Sequence, residues 1–298
     1  MKKEPAGRPD GKGDQMYHVF YNPAAGNGAY ASIETVLKDV LKGEAKFIDV
    51  TKSAGYLAEF GNLKPEDEVV IVGGDGTLNY FVNEVYGKLP ENPIRYFACG
   101  TGNDFLRDVT GAPGSKELLD LRPYIEHLPT VTVNGKTSYF INGIGYGIDG
   151  YCCEVGDEER KKSDKPVNYT AIAIKGLLFH YKPTTAKVTV DGVTKTYRKT
   201  WLAPTMNGRC YGGGMYPTPD QDRLKNDTVS TLVYHNAGKL KALIVFPSIF
   251  KGEHVKHTEM IEILKGREVR VEFDRPVALQ IDGETVLNVR EYTVRAAE

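Results

Sequence analysis

The stretch EVVIVGGDGTLNYFVNEVY, residues 68–86, decides the fold class of this 298-residue chain. Glu68 to Val72 is a run of mostly β-branched residues that predicts a buried strand. Thr77 to Tyr86 carries apolar side chains at helical spacing and predicts an amphipathic helix. Gly73 to Gly76 must turn sharply between them. A strand, a glycine-rich turn and a helix in this order are typical of a parallel sheet covered by helices.

The same alternation continues on both sides of this stretch. Further strands are predicted at His18–Tyr21, Lys46–Val50 and Arg95–Cys99, and further helices at Ala29–Leu41, Ser53–Leu63 and Lys116–Leu128, the last bent at Pro123. Residues 16–128 are therefore predicted to form an α/β domain with helices on both faces of a parallel sheet. Residues 1–15 are rich in Lys, Gly, Pro and Asp and are predicted to be a disordered tail.

Near Leu128 the pattern changes to short strands joined by turns. Asn134-Gly135 and Asp191-Gly192 each separate two strand-like runs, as in a two-residue hairpin. The predicted strands are Thr130–Val133, Thr137–Ile141, Lys187–Val190, Thr194–Arg198, Thr228–Tyr234, Glu259–Leu264, Glu268–Phe273 and Val277–Ile281. The other predicted elements are helices near Val167–His180 and Lys239–Ile249 and a mobile charged loop at Asp157–Lys165. Residues 129–290 are therefore predicted to form a mostly antiparallel β-sandwich domain.

Composition limits the classes of partner and compartment. The formal net charge of -1 provides no global basic field, so a nucleic-acid partner is not expected. The four cysteines show no metal-ligand spacing, which favours free thiols in the cytoplasm. The longest uninterrupted apolar run, about Ala242 to Phe246, is far short of the roughly 18 residues of a spanning helix. Contact with a membrane is therefore expected to be peripheral, at its inner face.

Polar, glycine-rich segments follow four predicted strands of the first domain. They are NPAAGNG at 22–28, Thr51 with Gly55 beyond it, GGDGT at 73–77 and GTGND at 100–104. Each alone is also consistent with a simple packing turn. Because the carboxyl ends of parallel strands meet at one edge of a sheet, the four together predict a common rim. Backbone N–H groups in such turns and at helix N-termini bind phosphate, so the rim is a predicted nucleotide site.

GGDGTLN (73–79) together with GTGNDFLR (100–107) resembles the diacylglycerol kinase catalytic domain family, which includes sphingosine and ceramide kinases and soluble bacterial lipid kinases. NPAAGNG is similar to the family's opening element, YGGGM (211–215) to its second-domain GGG segment, and DGE (282–284) to its near-terminal motif. The order and spacing agree from about Tyr17 onward. The resemblance implies an ATP- and Mg²⁺-dependent lipid kinase, with ATP and a lipid alcohol meeting in a cleft between the two domains. It also implies that residues 291–298 return to the first domain.

The resemblance also implies roles for individual residues. Those that would face the nucleotide are Asn22, Thr51, Gly74, Asp75, Gly76, Thr77, Thr101 and Asn103. Asp104 and Arg107 would belong to the polar network beside the phosphates. Glu284 matches the family's proposed general base, and Asp282 matches the partner of that base. The candidate Mg²⁺ ligands are Asp75, Asp104 and Asp282, because Mg²⁺ prefers carboxylate oxygens.

The sequence also departs from the family pattern. No Lys or Arg lies near Asn27, Tyr80 stands where an acidic residue is common, and the Asp-Gly that follows the GGG segment is blurred within residues 223–228. A separate structural Mg²⁺ site is therefore not predicted. An NAD kinase-like activity and a catalytically silent nucleotide-binding module remain as alternatives, and a homodimer is left open. The apolar helix near residues 172–179 is consistent with core packing or with a lipid entry path.

Overall fold

The computed structural model describes residues 15–23, 30–162, 167–225 and 227–297. Residues 1–14 of the predicted tail, residues 24–28 of the first glycine-rich segment and the end of the predicted charged loop, including Lys165, lie outside the described residues.

The first domain is an α/β unit around a five-stranded sheet of order β2-β1-β3-β4-β5. In chain order its elements are β1 Met16–Tyr21, α1 Tyr30–Val40, β2 Glu44–Asp49, α2 Tyr56–Phe60, β3 Glu68–Gly73, α3 Asp75–Val85, β4 Ile94–Ala98, α4 Asp104–Thr110 and β5 Leu119–Asp120. Strands β1 to β4 are parallel, and β5 is antiparallel to β4. The chain reverses its direction across the sheet between β1 and β3, which is where ligands bind in open α/β sheets.

Strand β3 is buried because helices cover both of its faces. Val69 and Ile71 belong to one apolar cluster with residues of α2 and α3, whereas Val70 and Val72 belong to another with Leu37 of α1. This alternation follows from the two-residue period of a strand. The predicted α/β fold of the first domain, with helices on both faces of a parallel sheet, is confirmed.

One prediction in this domain is wrong, and one helix was not predicted. Residues 116–128 hold the short strand β5 and a 3₁₀ turn, Arg122–Tyr124, rather than a helix, and Pro123 cannot continue a helical hydrogen-bond ladder because it lacks an N–H group. The sequence predicts no element at residues 105–110, where the structure has most of helix α4. The predicted helix at residues 53–63 is shorter in the structure, Tyr56–Phe60.

The second domain is built on a ten-stranded sheet whose paired neighbours are antiparallel. Its elements are β6 Thr130–Val133, β7 Lys136–Tyr139, β8 Gly143–Tyr146, α5 Ile148–Lys162, α6 Tyr169–Lys175, β9 Thr184–Val190, β10 Val193–Thr200, β11 Thr205–Met206, β12 Val229–Tyr234, α7 Lys239–Val245, β13 Ile261–Gly266, β14 Glu268–Ile281 and β15 Glu284–Arg295. Strand β14 pairs with β9 along its first half and with β8 at its end, so the sheet forks there. Val188 of β9 and Ile144 of β8 belong to one apolar core. The predicted antiparallel β domain is confirmed.

The structure corrects three details of this domain. Asp157 to Lys162 is the end of helix α5 rather than a loop. The two strands predicted between residues 268 and 281 are one strand with a register shift between Glu272 and Val277. Residues 292–295 pair with β6, so the predicted return to the first domain is wrong for this segment. The reason is burial, since Tyr292 and Val294 fill the core of the second domain.

A finding about helix length bears on the membrane. Across the four described ranges, the structure contains no helix that is both long enough and apolar enough to cross a bilayer.

Candidate active site

The turns that follow β3 and β4 lie backbone against backbone at one edge of the sheet. A Cβ atom on Gly100 would lie 2.6 Å from the Cα of Gly74, so a side chain at Gly100 is excluded. Helix α3 begins directly after Gly74 and runs for 11 residues. The first N–H groups of a helix have no partner within the helix, and the positive end of the helix dipole is located there. This edge can therefore bind an anion.

Asp75, the first residue of α3, holds three segments together. Its carboxylate accepts hydrogen bonds from the backbone N–H of Asp104 at 3.0 Å and of Phe105 at 2.8 Å. It also accepts one from Nδ2 of Asn142 in the second domain, at 2.9 Å. Asp75 thus stabilises the beginning of α4, as an N-cap side chain does. This contact explains why a helix begins at Asp104, the last residue of GTGND.

The GGG segment reaches α4 from the second domain. Gly212, Gly213 and Gly214 have φ angles of 62°, 79° and 109°, a conformation that residues with a Cβ atom rarely adopt. The turn is closed by hydrogen bonds between Tyr211 and Met215 at 3.1 and 3.0 Å. Within it, the N–H of Gly213 donates to Oδ2 of Asp104 at 2.7 Å. Glycine is thus needed here to bring a backbone N–H to a buried carboxylate.

Asp104 has the electrostatic properties expected of a ligand-binding carboxylate. Burial, together with the nearby charge of Asp75, raises the pKa of Asp104 to about 6. Its Oδ1 is buried and has no hydrogen-bond partner among the described residues, and the same holds for Nε of Arg107 and Oδ1 of Asn103. Nε of Arg107 lies 4.0 Å from Oδ1 of Asp104, too far for a hydrogen bond. Unsatisfied acceptors beside an unsatisfied cation are consistent with a bound phosphate and its metal ion.

The candidate Mg²⁺ ligands differ in how much of each carboxylate is free. Asp282 accepts four hydrogen bonds, from the N–H groups of Ile141, Asn142 and Gly143 and from Nδ2 of Asn79. Both oxygens of Asp75 are also engaged, whereas Asp104 retains a free oxygen. Within the described ranges, no cluster of three or more His, Cys, Asp or Glu side chains is arranged to hold a metal ion. The residues present therefore fit an ion that Asp104 shares with substrate phosphates, which is how Mg²⁺ commonly binds.

Glu284 follows Asp282 in a two-residue hairpin turn. Asp282 and Gly283 have φ angles of 46° and 97°, so the turn has the I′ geometry that Asp191-Gly192 also shows. The turn differs from that one because the Asp282 side chain is buried between β8 and α3. The exposed carboxylate of Glu284 points toward the beginning of α3, where a Cβ atom on Gly76 would lie 3.8 Å from Oε1. The hairpin therefore brings a carboxylate to the predicted phosphate site.

Asn142 connects these residues, and sequence analysis missed it. Its side chain donates to Asp75 at 2.9 Å and accepts from Nη2 of Arg223 at 3.1 Å, while its backbone N–H donates to Asp282 at 2.8 Å. It is 2% exposed. The only signal in the sequence is its place at the beginning of NGIG, directly before a strand, which is too common a pattern to identify it. Asn142 aligns the first domain with the DGE hairpin.

A buried ion pair also crosses between the domains. Asp108 of α4 accepts from Nε of Arg223 at 2.6 Å and from Nε of Arg209 at 2.7 Å. The side chains of Asp108 and Arg223 are each 4% exposed, whereas that of Arg209 is 44% exposed. The guanidinium of Arg223 also lies over the ring of Phe105, 4.8 Å from its centre. These contacts attach the second domain to α4, four residues after Asp104.

We expect Asp108→Ala to lower the free energy of unfolding by about 3–5 kcal/mol, because Arg223 would remain buried without its charged partner. Arg209→Ala is the matched control, since the exposed partner should contribute at most about 1 kcal/mol. Urea unfolding of both variants measures the difference. Small and equal decreases in the free energy of unfolding of the two variants would contradict a stabilising role of the buried pair.

A second residue that sequence analysis missed is Asp149, at the beginning of α5. Its Oδ2 accepts from the hydroxyl of Tyr211 at 2.9 Å, next to the GGG turn. It also hydrogen-bonds the side chain of Gln280, whose Oε1 accepts from the N–H of Gly283 at 2.7 Å. Burial raises the pKa of Asp149 to about 6. One buried carboxyl group thus supports two segments of the site.

The pKa of Asp149 leads to a prediction about stability. Because the folded-state pKa of about 6 lies above the ordinary 3.8, the folded protein binds the extra proton. Relative to Asp149→Asn, the parent should be most stable below about pH 4 and should lose about 3 kcal/mol as the pH rises through 6. Urea unfolding of both proteins across this range tests the prediction. Parallel pH profiles would show that Asp149 does not titrate in this way.

The remaining predicted nucleotide residues are arranged less uniformly. Thr77 is partly buried against Gly73, and Thr101 is exposed at the mouth of the site. Asn22 directly follows β1, and the segment outside the described ranges begins two residues later, at residue 24. The hydroxyl of Thr51 donates to Asp49 at 2.6 Å, and β2 lies two strands from β3, about 10 Å away by strand spacing. The structure therefore groups the predicted residues around α3 and α4 but does not bring Thr51 to them.

Comparison with known proteins agrees with this architecture. Residues 16–128 match the sequence profile of the diacylglycerol kinase catalytic domain. Residues 142–294 match that of the YegS C-terminal NAD kinase beta sandwich-like domain.

Individual relatives cover nearly the whole chain. A Mycobacterium tuberculosis protein named diacylglycerol kinase is 24% identical over 264 residues, 84% of this chain and 83% of its own. A crystal structure of a diacylglycerol kinase from Bacillus anthracis str. Sterne superposes with a TM-score of 0.61 at 20% identity, covering 95% of this chain and 94% of that one. At this identity the structural likeness shows the fold alone. With both domain profiles matched in order, the chain belongs to the diacylglycerol kinase catalytic domain family of lipid kinases, in the group whose second domain is of the YegS C-terminal type.

Proposed function

We propose that this protein transfers the γ-phosphoryl group of ATP to the hydroxyl group of a lipid alcohol, diacylglycerol or a related lipid, to give the lipid phosphate and ADP. The observation that carries the proposal is the approach of Glu284 from the second domain to the beginning of α3 in the first. There the exposed carboxylate of Glu284 faces the glycine-rich edge of the first domain. Asp104 and Arg107 of α4 lie beside this edge. A base and a phosphate site on opposite walls of one cleft are the parts that phosphoryl transfer requires.

In the proposed reaction the nucleotide phosphates bind along the turns at residues 73–77 and 100–103. Backbone N–H groups at the beginning of α3 and the guanidinium of Arg107 stabilise their negative charge. Glu284 accepts the proton of the lipid hydroxyl while the hydroxyl oxygen forms a bond to the γ-phosphorus. The bond from that phosphorus to the β,γ-bridging oxygen breaks, and ADP leaves with the electron pair.

Mg²⁺ fits this proposal as an ion carried by the nucleotide. It would neutralise phosphate charge, with Asp104 as the protein carboxylate that holds it. Asp75 and Asp282 then act as positioning residues, because hydrogen bonds to N–H groups already occupy their carboxylates. In this respect the proposal departs from the three-carboxylate set that the sequence predicted.

A radiolabelled ATP assay against a panel of lipid alcohols in mixed micelles tests the proposed function, and diacylglycerol, a sphingoid base, phosphatidylglycerol and an undecaprenol-like alcohol belong in the panel. We expect the parent to form one lipid phosphate in a Mg²⁺-dependent reaction. The Glu284→Gln variant measures the background rate of the assay. Efficient phosphorylation of NAD⁺ with no lipid product would replace the proposal with a dinucleotide kinase. Tight ATP binding without any phosphorylated product would indicate a regulatory nucleotide-binding module.

A further inference from the structure

One surface of the second domain carries large apolar side chains that its core does not use. Helices α6 and α7 and the π-helical turn Gly176–His180 bury one side, where Ile172, Leu177, Ala242 and Val245 join an apolar cluster. Their outer side exposes four more large residues, here called the apolar face: Ile174 at 43%, Phe179 at 71%, Leu240 at 69% and Ile244 at 69% exposure. Surface helices normally place polar residues on that side.

The two parts of the apolar face lie on neighbouring segments of the chain. Nζ of Lys239, the first residue of α7, donates to the carbonyl oxygen of Leu178 at 2.8 Å. This contact shows that the beginning of α7 lies beside the π-helical turn, so Leu240 and Phe179 are carried by neighbouring segments. Ile244 lies one turn beyond Leu240, on the same side of α7. Such contiguous apolar area on a protein surface marks a site of interaction rather than chance exposure.

Positive charge surrounds this face. Lys175 and Lys182 flank its α6 side and Lys251 follows α7, all three exposed. Within the described ranges none of the three forms an ion pair, whereas Lys241 and Lys256 are paired with Glu259 and Glu253. Apolar side chains bordered by unpaired lysines are the combination with which proteins bind the surface of an anionic bilayer.

A cavity lies beside α6, one of the helices that carry this face. It has a volume of about 270 Å³ and lies between α5 and α6, and its lining includes Tyr151, Val155 and Ile172 together with Glu159, Lys175 and His180. The other side of α5 contacts the DGE hairpin, where Oδ2 of Asp157 accepts a hydrogen bond from the hydroxyl of Thr285 at 2.6 Å. Glu284 and the cavity are therefore on opposite sides of one helix, about 10 Å in diameter.

We propose that the apolar face docks the protein on an anionic bilayer, an inference that rests on the proposed function and names the surface through which a lipid substrate arrives. Ile174, Phe179, Leu240 and Ile244 insert among the acyl chains, and Lys175, Lys182 and Lys251 contact the headgroups. A second copy of the chain fits this face less well, because a two-fold interface would bring its unpaired lysines near their own counterparts. The lipid acyl chains then lie on the α6 side of α5 and the hydroxyl group on the Glu284 side.

Vesicle flotation of the full chain tests the docking surface. The probe is vesicles of phosphatidylcholine mixed with phosphatidylglycerol, compared with phosphatidylcholine alone. Leu240→Gln with Ile244→Gln should weaken partitioning at least about tenfold, because two inserted side chains are lost. Lys175→Gln with Lys182→Gln should reduce partitioning about tenfold on anionic vesicles only, and should weaken its dependence on salt. Urea unfolding shows whether each variant keeps the parental fold.

Val193→Thr with Ile263→Thr is the matched control, because it removes exposed apolar side chains elsewhere in the second domain and should partition like the parent. Partitioning of the two face variants at the parental level would overturn the proposal. So would dissociation of a parental dimer in the Leu240/Ile244 variant with unchanged flotation, since the face would then join two copies.

Activity separates this inference from the proposed function. The Leu240/Ile244 variant should phosphorylate a short-chain lipid alcohol dispersed in water like the parent, and should lose turnover only on vesicles. A parent that floats through the apolar face but phosphorylates no lipid would overturn the proposed function and leave the docking surface standing.

Discussion

Glu284→Gln is expected to slow turnover about 10²–10⁴-fold at saturating ATP and lipid, while ATP affinity stays close to that of the parent. Gln keeps the size of the side chain and one acceptor oxygen, but it cannot take the proton of the lipid hydroxyl. The exposed carboxylate faces Gly76 and makes none of the hydrogen bonds that hold Asp282, so the hairpin should keep its conformation. Steady-state kinetics with isothermal calorimetry of ATP binding separates the two effects.

The control for this variant lies on the same strand. Glu291→Gln removes another exposed carboxylate of β15, which pairs with Arg270 at the surface, and should leave turnover unchanged. Near-parental turnover of Glu284→Gln would remove Glu284 from the role of general base. A loss of turnover accompanied by an equal loss in Glu291→Gln would point to the strand rather than to the carboxylate.

Asp75→Ala is expected to weaken ATP binding and to lower turnover by at least about 10²-fold, with a fall of about 3 kcal/mol or more in the free energy of unfolding. The substitution leaves three donors without their acceptor: the N–H groups of Asp104 and Phe105 and Nδ2 of Asn142. Each buried, unsatisfied donor costs about 1–3 kcal/mol, less where water reaches it. Because the beginning of α4 shifts, Asp104 and Arg107 shift with it.

Asp75→Asn separates positioning from direct participation. The Asn side chain is nearly isosteric and keeps one acceptor oxygen, so it should retain most of the stability and part of the turnover. Urea unfolding, calorimetry and initial rates on both variants decide the matter. Unchanged ATP affinity together with unchanged turnover in Asp75→Ala would remove Asp75 from the site altogether.

The sequence predicted those parts of the fold in which a local pattern has one solution. The run Glu68 to Val72 can be buried only if both of its faces are covered, and Asn134-Gly135 favours one kind of turn. The strands of the first domain and the antiparallel second domain follow from such patterns. The grouping of GGDGT with GTGND also follows, because parallel strands present their carboxyl ends at one edge.

What the sequence could not predict depends on long-range partners. Helix α4 is stabilised by a side chain 29 residues earlier, at Asp75, so no local pattern marks its beginning. Asn142 and Asp149 are ordinary polar residues until the fold surrounds them with Asp75, Arg223 and Gln280. The resemblance implied that Asp75 contacts the nucleotide and that Asp282 is the partner of the general base, and both were also candidate Mg²⁺ ligands. Whether a carboxylate is free or already engaged is a property of its neighbours, which sequence spacing does not encode.

The contacts of Asp282 have a consequence for the order in which the site is assembled. Its partner Asn79 lies 203 residues earlier in the chain and its backbone donors about 140 residues earlier. During synthesis, the α/β domain can fold on the ribosome long before the DGE hairpin exists, because domains fold as units from the N-terminus. A nascent chain can therefore expose a formed phosphate edge while the carboxylate of Glu284 has yet to be made. In the proposed mechanism, activity therefore appears only when this hairpin docks, and a ribosome-bound or truncated chain would be unable to transfer phosphate even with ATP bound.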